Sequence, residues 1–471
     1  MKIHFQGKNY HLFLLGILFC QFALVISFSP VAVKAAEWKA ATATVVITPK
    51  EPLWMGGYGG RTKPSEGKIH DLYVKALAID DPEGNQIVIV TADILGVTLD
   101  FSNRIYMEIN KRFNLPREAL LFNTSHTHCG PAIPLFKVSL YNMAENDEEK
   151  INTYMNWLEL RYIQVISEAI SDMKPAVLSF SSGTPAPFAV SRRFPSPEGI
   201  IYRSGPSSYY TGGPRDDIVP VLKVADTAGK IQAILFGYAC HPITLNVDKF
   251  CGDYPGFAQQ YIEEAYPGAT ALFVQGCGGQ LVPNARYQVE YAMGHGRALA
   301  DAVKKALDGE QISLEGSLKC AYDEVILDFE PPPERNALEE NLKSDDKNLQ
   351  RKAAFFLDIL DNNESIETTL QCPLHVIRFG KEMLFIGLSG EPVAGYSVKI
   401  KSEYLTHKFV WVAGFCHYDF GYLPTWKVLR EGGYEGGGLF ESYTHFPGPF
   451  AETVEKRVLE GVRRLVKDVS D

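Results

Sequence analysis

Short runs of apolar residues recur along the chain and are bounded by polar or turn-forming residues. Such runs predict strands that are buried on both faces, because a strand covered on both sides has no position for water-facing side chains. The predicted strands are 86–91, 119–122, 231–238, 269–275, 383–388 and 408–413.

Between these runs, apolar residues recur with the spacing of a helix face. In 99–113, for example, Ile105, Ile109 and Phe113 share one face. The same pattern predicts helices over 151–173, 255–266, 287–307 and 335–361. Strands that alternate with helices indicate an α/β fold, here a single large mixed-sheet domain over residues 36–471. The Pro-rich and Gly-rich stretch 183–214 predicts a long loop or lid.

The first 35 residues differ from the rest of the chain. Lys2 and Lys8 precede an apolar run over 12–27, and Pro30 is followed by Val-Lys-Ala-Ala over 33–36, which resembles a small-residue cleavage site. This pattern predicts a signal peptide over 1–35 and export to the periplasm or the medium. A membrane anchor is the alternative, but the run is short for a hydrocarbon core of about 30 Å. We therefore expect no transmembrane helix in the mature chain.

Composition narrows the class of protein. The chain has 471 residues, of which 46% are hydrophobic, and a net charge of −10. This is enough apolar material for a large core, and an acidic chain is a poor partner for nucleic acid. Eight cysteines include no CxxC pair, so a thiolate zinc site is not indicated. Disulfide pairing and oligomeric state stay open.

Candidate chemistry begins in segment 119–131, ALLFNTSHTHCGP. His126 and His128 are two residues apart after an apolar strand, so in extended backbone both imidazoles face the same side. A shared metal or catalytic centre is one interpretation. The other is chance, because an HxH pair also occurs in many unrelated proteins.

Other predicted strands end in similar residues. Strand 231–238 leads to His241, strand 383–388 leads to Glu391, and strand 408–413 leads into a Tyr-rich segment over 414–422. Sites in open α/β sheets form at the carboxyl ends of strands, so these ends can converge. Two imidazoles and one carboxylate are a common hydrolytic zinc set, which leaves a position for water.

The order of the motifs resembles the neutral/alkaline non-lysosomal ceramidase family, in its amino-terminal catalytic domain. The resemblance covers most of the mature chain. The matching segments are 55–59, 66–70, 92–93, 123–131, 191–193, 241–242, 276–284, 390–392 and 421–436. It implies a Zn²⁺ ion held by His126, His241, Glu391 and Tyr422, the last chosen over Tyr418.

The same resemblance implies that His128 supports catalysis beside the metal. It also implies that Arg192 and Tyr434 contact the substrate or the developing oxyanion. Arg192 could instead only pair with a carboxylate, in which case Arg193 is the alternative active arginine. A tyrosine can equally be a packed aromatic residue.

Two departures from the family pattern concern the substrate. Val282 stands where the family has a serine, and Gln280 stands where it has an aspartate. The chain also has too few residues after Tyr434 for the family's carboxyl-terminal immunoglobulin-like domain. The reaction type is therefore better supported than the substrate.

Three functions remain open. The first is an exported zinc-dependent hydrolase that attacks an amide (N-acyl) bond, with a ceramide-like lipid as the family substrate. The second is a zinc hydrolase of a glycan-linked ester or glycosidic bond, which the aromatic residues Phe194, Tyr202, Tyr209 and Tyr210 would suit. The third is a non-catalytic binding homologue.

Overall fold

A computed structural model describes residues 38–134, 143, 145–184, 188–203, 210–443 and 445–470. The predicted signal peptide over 1–35 lies outside the described residues. Residue 36, where we expect the domain to begin, also lies outside the described residues, so this boundary stays a prediction.

The described strands form two main sheets and several two-stranded pairs. Their bounds are β1 Trp38–Val46, β2 Tyr73–Asp80, β3 Gln86–Ala92, β4 Leu120–Thr124, β5 Lys174–Gly183, β6 Ala189–Ser191, β7 Arg193–Ser196, β8 Gly199–Tyr202, β9 Val219–Asp226, β10 Ile231–Tyr238, β11 Thr270–Gln275, β12 Leu281–Pro283, β13 Ile312–Ser313, β14 Leu318–Asp328, β15 Thr369–Phe379, β16 Met383–Leu388, β17 Glu391–Pro392, β18 Phe409–Ala413 and β19 Tyr422–Leu423.

The larger main sheet is mixed and has nine strands. Its order is β11-β10-β9-β5-β1-β2-β3-β4, with β13 paired to β5. A four-stranded sheet has the order β14-β15-β16-β18. The pairs are β12 with β6, β17 with β19 and β7 with β8.

Helices cover the outer faces of both main sheets. Their bounds are α1 Leu99–Phe113, α2 Glu145–Ser171, α3 Asp253–Ala265, α4 Val289–Asp308, α5 Arg335–Asn341, α6 Lys347–Asp361, α7 Gly395–Glu403, α8 Trp426–Glu431, α9 Leu439–Tyr443 and α10 Val454–Asp468. A 3₁₀ turn spans Arg117–Ala119, and a π-helical turn spans Tyr434–Gly438.

Helix α1 shows how local sequence sets an element. The Thr98 side chain caps its first turn by accepting a hydrogen bond from the Phe101 N–H. Its buried face includes Phe101, Ile105 and Ile109. Asn114 ends the helix in the left-handed region with φ 52°. These signals place both ends where the sequence pattern predicts them.

The core lies in layers. Leu77 and Ile89 of the large sheet pack with Phe385 and Trp411 of the small sheet, so one apolar layer lies between the two. A second layer joins the large sheet to α1 and α2, and a third joins it to α3 and α4. The outer face of the small sheet packs on α7 and α10. The order is helix, sheet, sheet, helix, which is an α/β fold as predicted.

The six predicted strands are confirmed as β3, β4, β10, β11, β16 and β18, and four predicted helices as α1, α2, α3 and α4. Two predictions are wrong. The stretch 335–361 is two helices, because Asp346 starts a new one by accepting a hydrogen bond from the Asn348 N–H. The stretch 183–214 is not only loop, since it contains β6, β7 and β8. Among the described helices, none is both long and apolar enough to cross a membrane.

Candidate metal centre

Three strand ends meet at one point in the domain. His126 follows β4, His241 follows β10, and Glu391 begins β17 just after β16. Asn123 joins the edge strands of the large sheet, because its side-chain oxygen accepts a hydrogen bond from the Gln275 N–H at 2.9 Å. Its Nδ2 donates to the Gly414 carbonyl, beyond β18, at 2.7 Å. These bonds bring the carboxyl ends of strands from both sheets together.

The carboxylate of Glu391 lies between the two imidazoles. Its Oε2 is 3.0 Å from His241 Nε2 and 3.6 Å from His126 Nε2. The rings of His126 and His241 are perpendicular, with centroids 4.9 Å apart. All three side chains are almost fully buried. The expected convergence of His126, His241 and Glu391 is therefore present.

Hydrogen bonds fix the tautomer of both histidines. His126 Nδ1 is 2.7 Å from the Leu95 carbonyl oxygen, and His241 Nδ1 is 2.9 Å from that of Gly278. A carbonyl only accepts, so Nδ1 is the donor in each ring and a neutral ring has its lone pair on Nε2. The His241 lone pair then faces Oε2 of Glu391, which is also an acceptor when the carboxyl group is ionised. Such a set of acceptors fits a cation, which would turn their repulsion into attraction.

Electrostatics support a neutral His241. Burial lowers its pKa to about 4, and the nearby Arg192 guanidinium adds to the shift. For His126, burial lowers the pKa, but the carboxylates of Glu391 and Asp419 outweigh burial and raise it above its usual value. The donor set of two imidazoles and one carboxylate is the chemistry of a hydrolytic zinc site.

His128 lies beside these side chains and is less buried. Its ring centroid is 5.1 Å from that of His126 and 6.0 Å from that of His241. One ring nitrogen of each of the three histidines lies within 4.8 Å of the others. Gly57 is needed for this packing, because a Cβ there would lie 2.5 Å from the His128 ring, and its φ is +92°. His128 is therefore held at the edge of the cluster.

Tyr422 reaches the same place through strand pairing. Strand β19 runs parallel to β17, with Tyr422 aligned with Glu391. The Tyr422 ring centroid is 6.2 Å from that of His241. Burial raises the pKa of its hydroxyl well above the usual value, and Arg192 opposes that shift. Tyr422 is thus beside the three strand-end residues, and its role as a ligand stays a prediction.

Arg192 and Tyr434 lie on the far side of Tyr422. Arg192 Nη2 donates to the Tyr422 hydroxyl at 2.6 Å, and Nε donates to Glu435 at 2.6 Å. The Tyr434 ring is 5.3 Å from that of Tyr422, centroid to centroid. All seven site residues predicted from the sequence therefore belong to one neighbourhood.

Asp419 is a residue that sequence reasoning missed. Its Oδ2 lies 3.4 Å from His126 Nδ1, and Oδ1 accepts a hydrogen bond from the Gly421 N–H at 3.0 Å. A Cβ at Gly96 would lie 2.4 Å from Asp419 Oδ2, so the glycine makes room for the carboxylate. The available signal was an acid three residues before Tyr422, since a histidine that binds a metal commonly has a carboxylate partner on its other nitrogen.

Val282 lies in apolar packing. It is fully buried on β12 and packs with Val190 and Ile243. Gln280 Oε1 accepts a hydrogen bond from the Ala394 N–H at 2.9 Å. Both departures from the family pattern are therefore accommodated by structural contacts.

Comparison with known proteins supports the fold. No family model matches the sequence. Neutral ceramidase from Pseudomonas aeruginosa has a similar structure, with a TM-score of 0.67 at 17% sequence identity, over 85% of this chain and 71% of that one. A ceramidase complexed with C2 matches with a TM-score of 0.67 at 16% identity, over 91% and 76%. This chain has a neutral ceramidase-like fold.

Proposed function

We propose that this chain is a zinc-dependent hydrolase that cleaves an amide (N-acyl) bond, with a ceramide-like lipid as its substrate. His126, His241, Glu391 and Tyr422 are the proposed metal ligands. The observation that carries the proposal is the contact of His241 Nε2 with Glu391 Oε2 at 3.0 Å, with His126 Nε2 close by. The fold shared with two ceramidases supports the choice of substrate class.

The other residues of the site have separate roles in the proposal. A bound zinc ion would supply Lewis acidity and a water of lowered pKa. One ring nitrogen of His128 takes a proton from the attacking water and returns it to the leaving nitrogen. The Tyr434 hydroxyl donates a hydrogen bond to the developing oxyanion. The bond from Arg192 to the Tyr422 hydroxyl favours a role for Arg192 through Tyr422.

The test separates metal binding from turnover with His128→Ala. The zinc-loaded parent should hydrolyse N-acylsphingosine, and the variant should lose at least about 100-fold in rate, the usual contribution of a general acid–base group. Zinc content, measured by elemental analysis, should stay at the parental level. His407→Ala, outside the site, is the matched histidine control and should keep both.

Other outcomes would decide against the proposal. Cleavage of soluble glycan esters or glycosides, with no cleavage of N-acyl lipids, would replace the amide bond with a glycan-linked one. A parent chain that binds zinc but hydrolyses nothing on an amide, ester and glycoside panel would be a binding homologue. Loss of zinc in His128→Ala would make His128 a ligand.

A further inference from the structure

Two adjacent arginines share one buried carboxylate beside the candidate metal centre. Arg192 Nε donates to Glu435 Oε1 at 2.6 Å, and Arg193 Nη1 donates to Oε2 at 3.0 Å. Glu435 is 1% exposed, Arg192 2% and Arg193 5%. A carboxylate so deeply buried needs charged partners, and each oxygen has one. The carboxylate therefore fixes the plane of the Arg192 guanidinium.

The Nη2 donors of Arg192 point towards the metal centre. Nη2 donates to the Tyr422 hydroxyl at 2.6 Å and to the Gly279 carbonyl at 2.8 Å. Tyr202 and Tyr434 pack around the same guanidinium, with its carbon 5.1 Å and 5.8 Å from their ring centroids. Because Glu435 holds the Nε side of the planar guanidinium, Nη2 is fixed where it reaches both the Tyr422 hydroxyl and the Gly279 carbonyl.

The backbone around Arg192 is tied to the same region. The Arg192 N–H donates to the Gln280 carbonyl at 3.1 Å. The Gly279 N–H donates to the Pro392 carbonyl at 3.0 Å, next to Glu391. Arg192 therefore connects three segments: the Tyr-Glu-Gly turn at 434–436, the loop after β11 and the strand of Tyr422.

The hydrogen bonds of Arg193 can be compared directly with those of Arg192. It binds the second oxygen of Glu435, and its other bonds run to the Gly432 carbonyl at 3.0 Å and to Glu431 at 3.1 Å. It is the same residue type, in the same ion network and similarly buried. It differs from Arg192 in that its bonds lead away from Tyr422.

We propose that Glu435 and Arg192 are positioning residues that hold the Tyr422 hydroxyl at the metal centre. This inference rests on the proposed function, because it needs Tyr422 to be a metal ligand. Glu435 orients Arg192, and Arg192 orients the Tyr422 oxygen. Neither needs to touch the substrate. Outer partners of metal ligands commonly change metal affinity by about 10-fold to 100-fold when they are replaced.

The test measures the affinity of the metal-free protein for Zn²⁺ alone, by competition with a chelator. Arg192→Lys keeps the charge but cannot bind Glu435 and Tyr422 with one planar fork. It should weaken Zn²⁺ binding by about 10-fold or more. Arg193→Lys keeps a charge beside Glu435 and removes no bond to Tyr422, so it should weaken Zn²⁺ binding less than Arg192→Lys does. The visible absorption spectrum of the Co²⁺-loaded protein should change more for Arg192→Lys than for Arg193→Lys.

A double-mutant cycle assigns the effect to Tyr422. In a Tyr422→Phe background, Arg192→Lys should cause no further loss of affinity, because the hydroxyl that it positions is gone. Glu435→Gln is a second variant that should weaken binding in the same direction, and it replaces Arg192→Lys if that variant does not fold.

The outcomes separate the two proposals. If the parent binds Zn²⁺ and the losses from Arg192→Lys and Tyr422→Phe simply add, or if Arg193→Lys matches Arg192→Lys, only the positioning role is overturned. If the parent does not bind Zn²⁺ at all, the proposed function fails, and the role of Arg192 fails with it.

Discussion

Among the residues that the structure describes, two buried groups of histidines differ in how their ring nitrogens are paired. In the candidate metal centre, the lone pair of His241 Nε2 faces a carboxylate oxygen 3.0 Å away. In the second group, which we call the histidine pair, His375 and His417 stack with centroids 5.3 Å apart. Both groups are buried, so burial alone does not distinguish a ligand from a structural residue.

The histidine pair forms a complete chain of donors and acceptors. His375 Nε2 donates to the Glu118 carbonyl at 2.8 Å, which leaves its Nδ1 as an acceptor for His417 Nε2 at 3.1 Å. His417 Nδ1 then accepts from Arg117 Nη2 at 3.2 Å. Every ring nitrogen has a complementary partner, so this group needs no metal. Two acceptors that face each other in a buried histidine cluster therefore indicate a cation site, whereas paired donors and acceptors indicate a structural role.

The largest effect is expected for Glu391→Gln. The amide removes the negative ligand, so Zn²⁺ affinity should fall by more than about 100-fold and hydrolysis should stop. In the metal-free protein, the new N–H₂ can donate to His241 Nε2, so thermal stability should hold or rise. Zinc titration and calorimetry of the metal-free form measure both. Unchanged zinc affinity would remove Glu391 from the ligand set.

The histidine pair should respond in the opposite way. His375→Leu leaves the buried His417 Nε2 donor without its acceptor, so the free energy of unfolding should fall by about 1–3 kcal/mol. Zinc content should not change. Denaturant unfolding and elemental analysis check the two parts, with His407→Leu as the control outside both groups. If His375→Leu lost zinc and kept its stability, the histidine pair would be a metal site and not a structural group.

Acid should destabilise the protein through the histidine pair. Burial lowers the pKa of His375 to about 3, with Arg117 adding to the shift, and burial also lowers that of His417. In the unfolded chain the pKa of a histidine is near 6.5. As the pH falls, the two histidines therefore bind protons in the unfolded chain while they stay neutral in the folded chain. The contribution to stability is intact above about pH 7 and is lost as pH falls from about 6.5 towards 3.

The change of the unfolding free energy with pH measures this effect. Each histidine that is protonated only in the unfolded chain lowers the unfolding free energy by about 1.4 kcal/mol per pH unit. Between about pH 6 and pH 4, the unfolding free energy of His375→Leu should therefore fall less steeply than that of the parent, by up to that amount per unit. Parallel slopes for parent and variant would show that His375 does not resist protonation.

The smallest effect on activity is expected for Val282→Ser. A serine there would place a hydroxyl in the apolar contact with Val190 and Ile243, so we expect no gain in ceramide cleavage. Stability should fall by about 1–3 kcal/mol, the cost of burying an unpaired polar group. Activity assays and denaturant unfolding measure both, with Val282→Ala as the control for lost volume. A gain in ceramide cleavage would show that the missing hydroxyl sets specificity.

The sequence predicted the elements whose signals are local. Helix α1 has the predicted bounds because its apolar spacing is local, and Thr98 and Asn114 cap the two ends in the structure. The break after α5 was missed because apolar spacing continues across it, while the capping bond of Asp346 depends on one side chain. Strands such as β1 were missed because partly exposed residues interrupt their apolar pattern.

The sequence predicts those residues of the candidate site that follow an apolar strand. His126, His241 and Glu391 stand directly after apolar runs, so their convergence could be expected. For Asp419 the sequence offers only an acid three residues before Tyr422, because its approach to His126 depends on the loop after β18 and on the room left by Gly96. The bond of Arg192 to Tyr422 likewise joins residues that are 230 positions apart. Such contacts between distant segments leave no local pattern.

The most direct test of the central claim is anomalous diffraction from crystals of the zinc-loaded protein. We predict one zinc peak between Nε2 of His126, Nε2 of His241 and the Glu391 carboxylate, with the Tyr422 oxygen as the fourth protein ligand. A peak at the histidine pair instead, or no peak at the strand ends in protein loaded with zinc, would contradict the account.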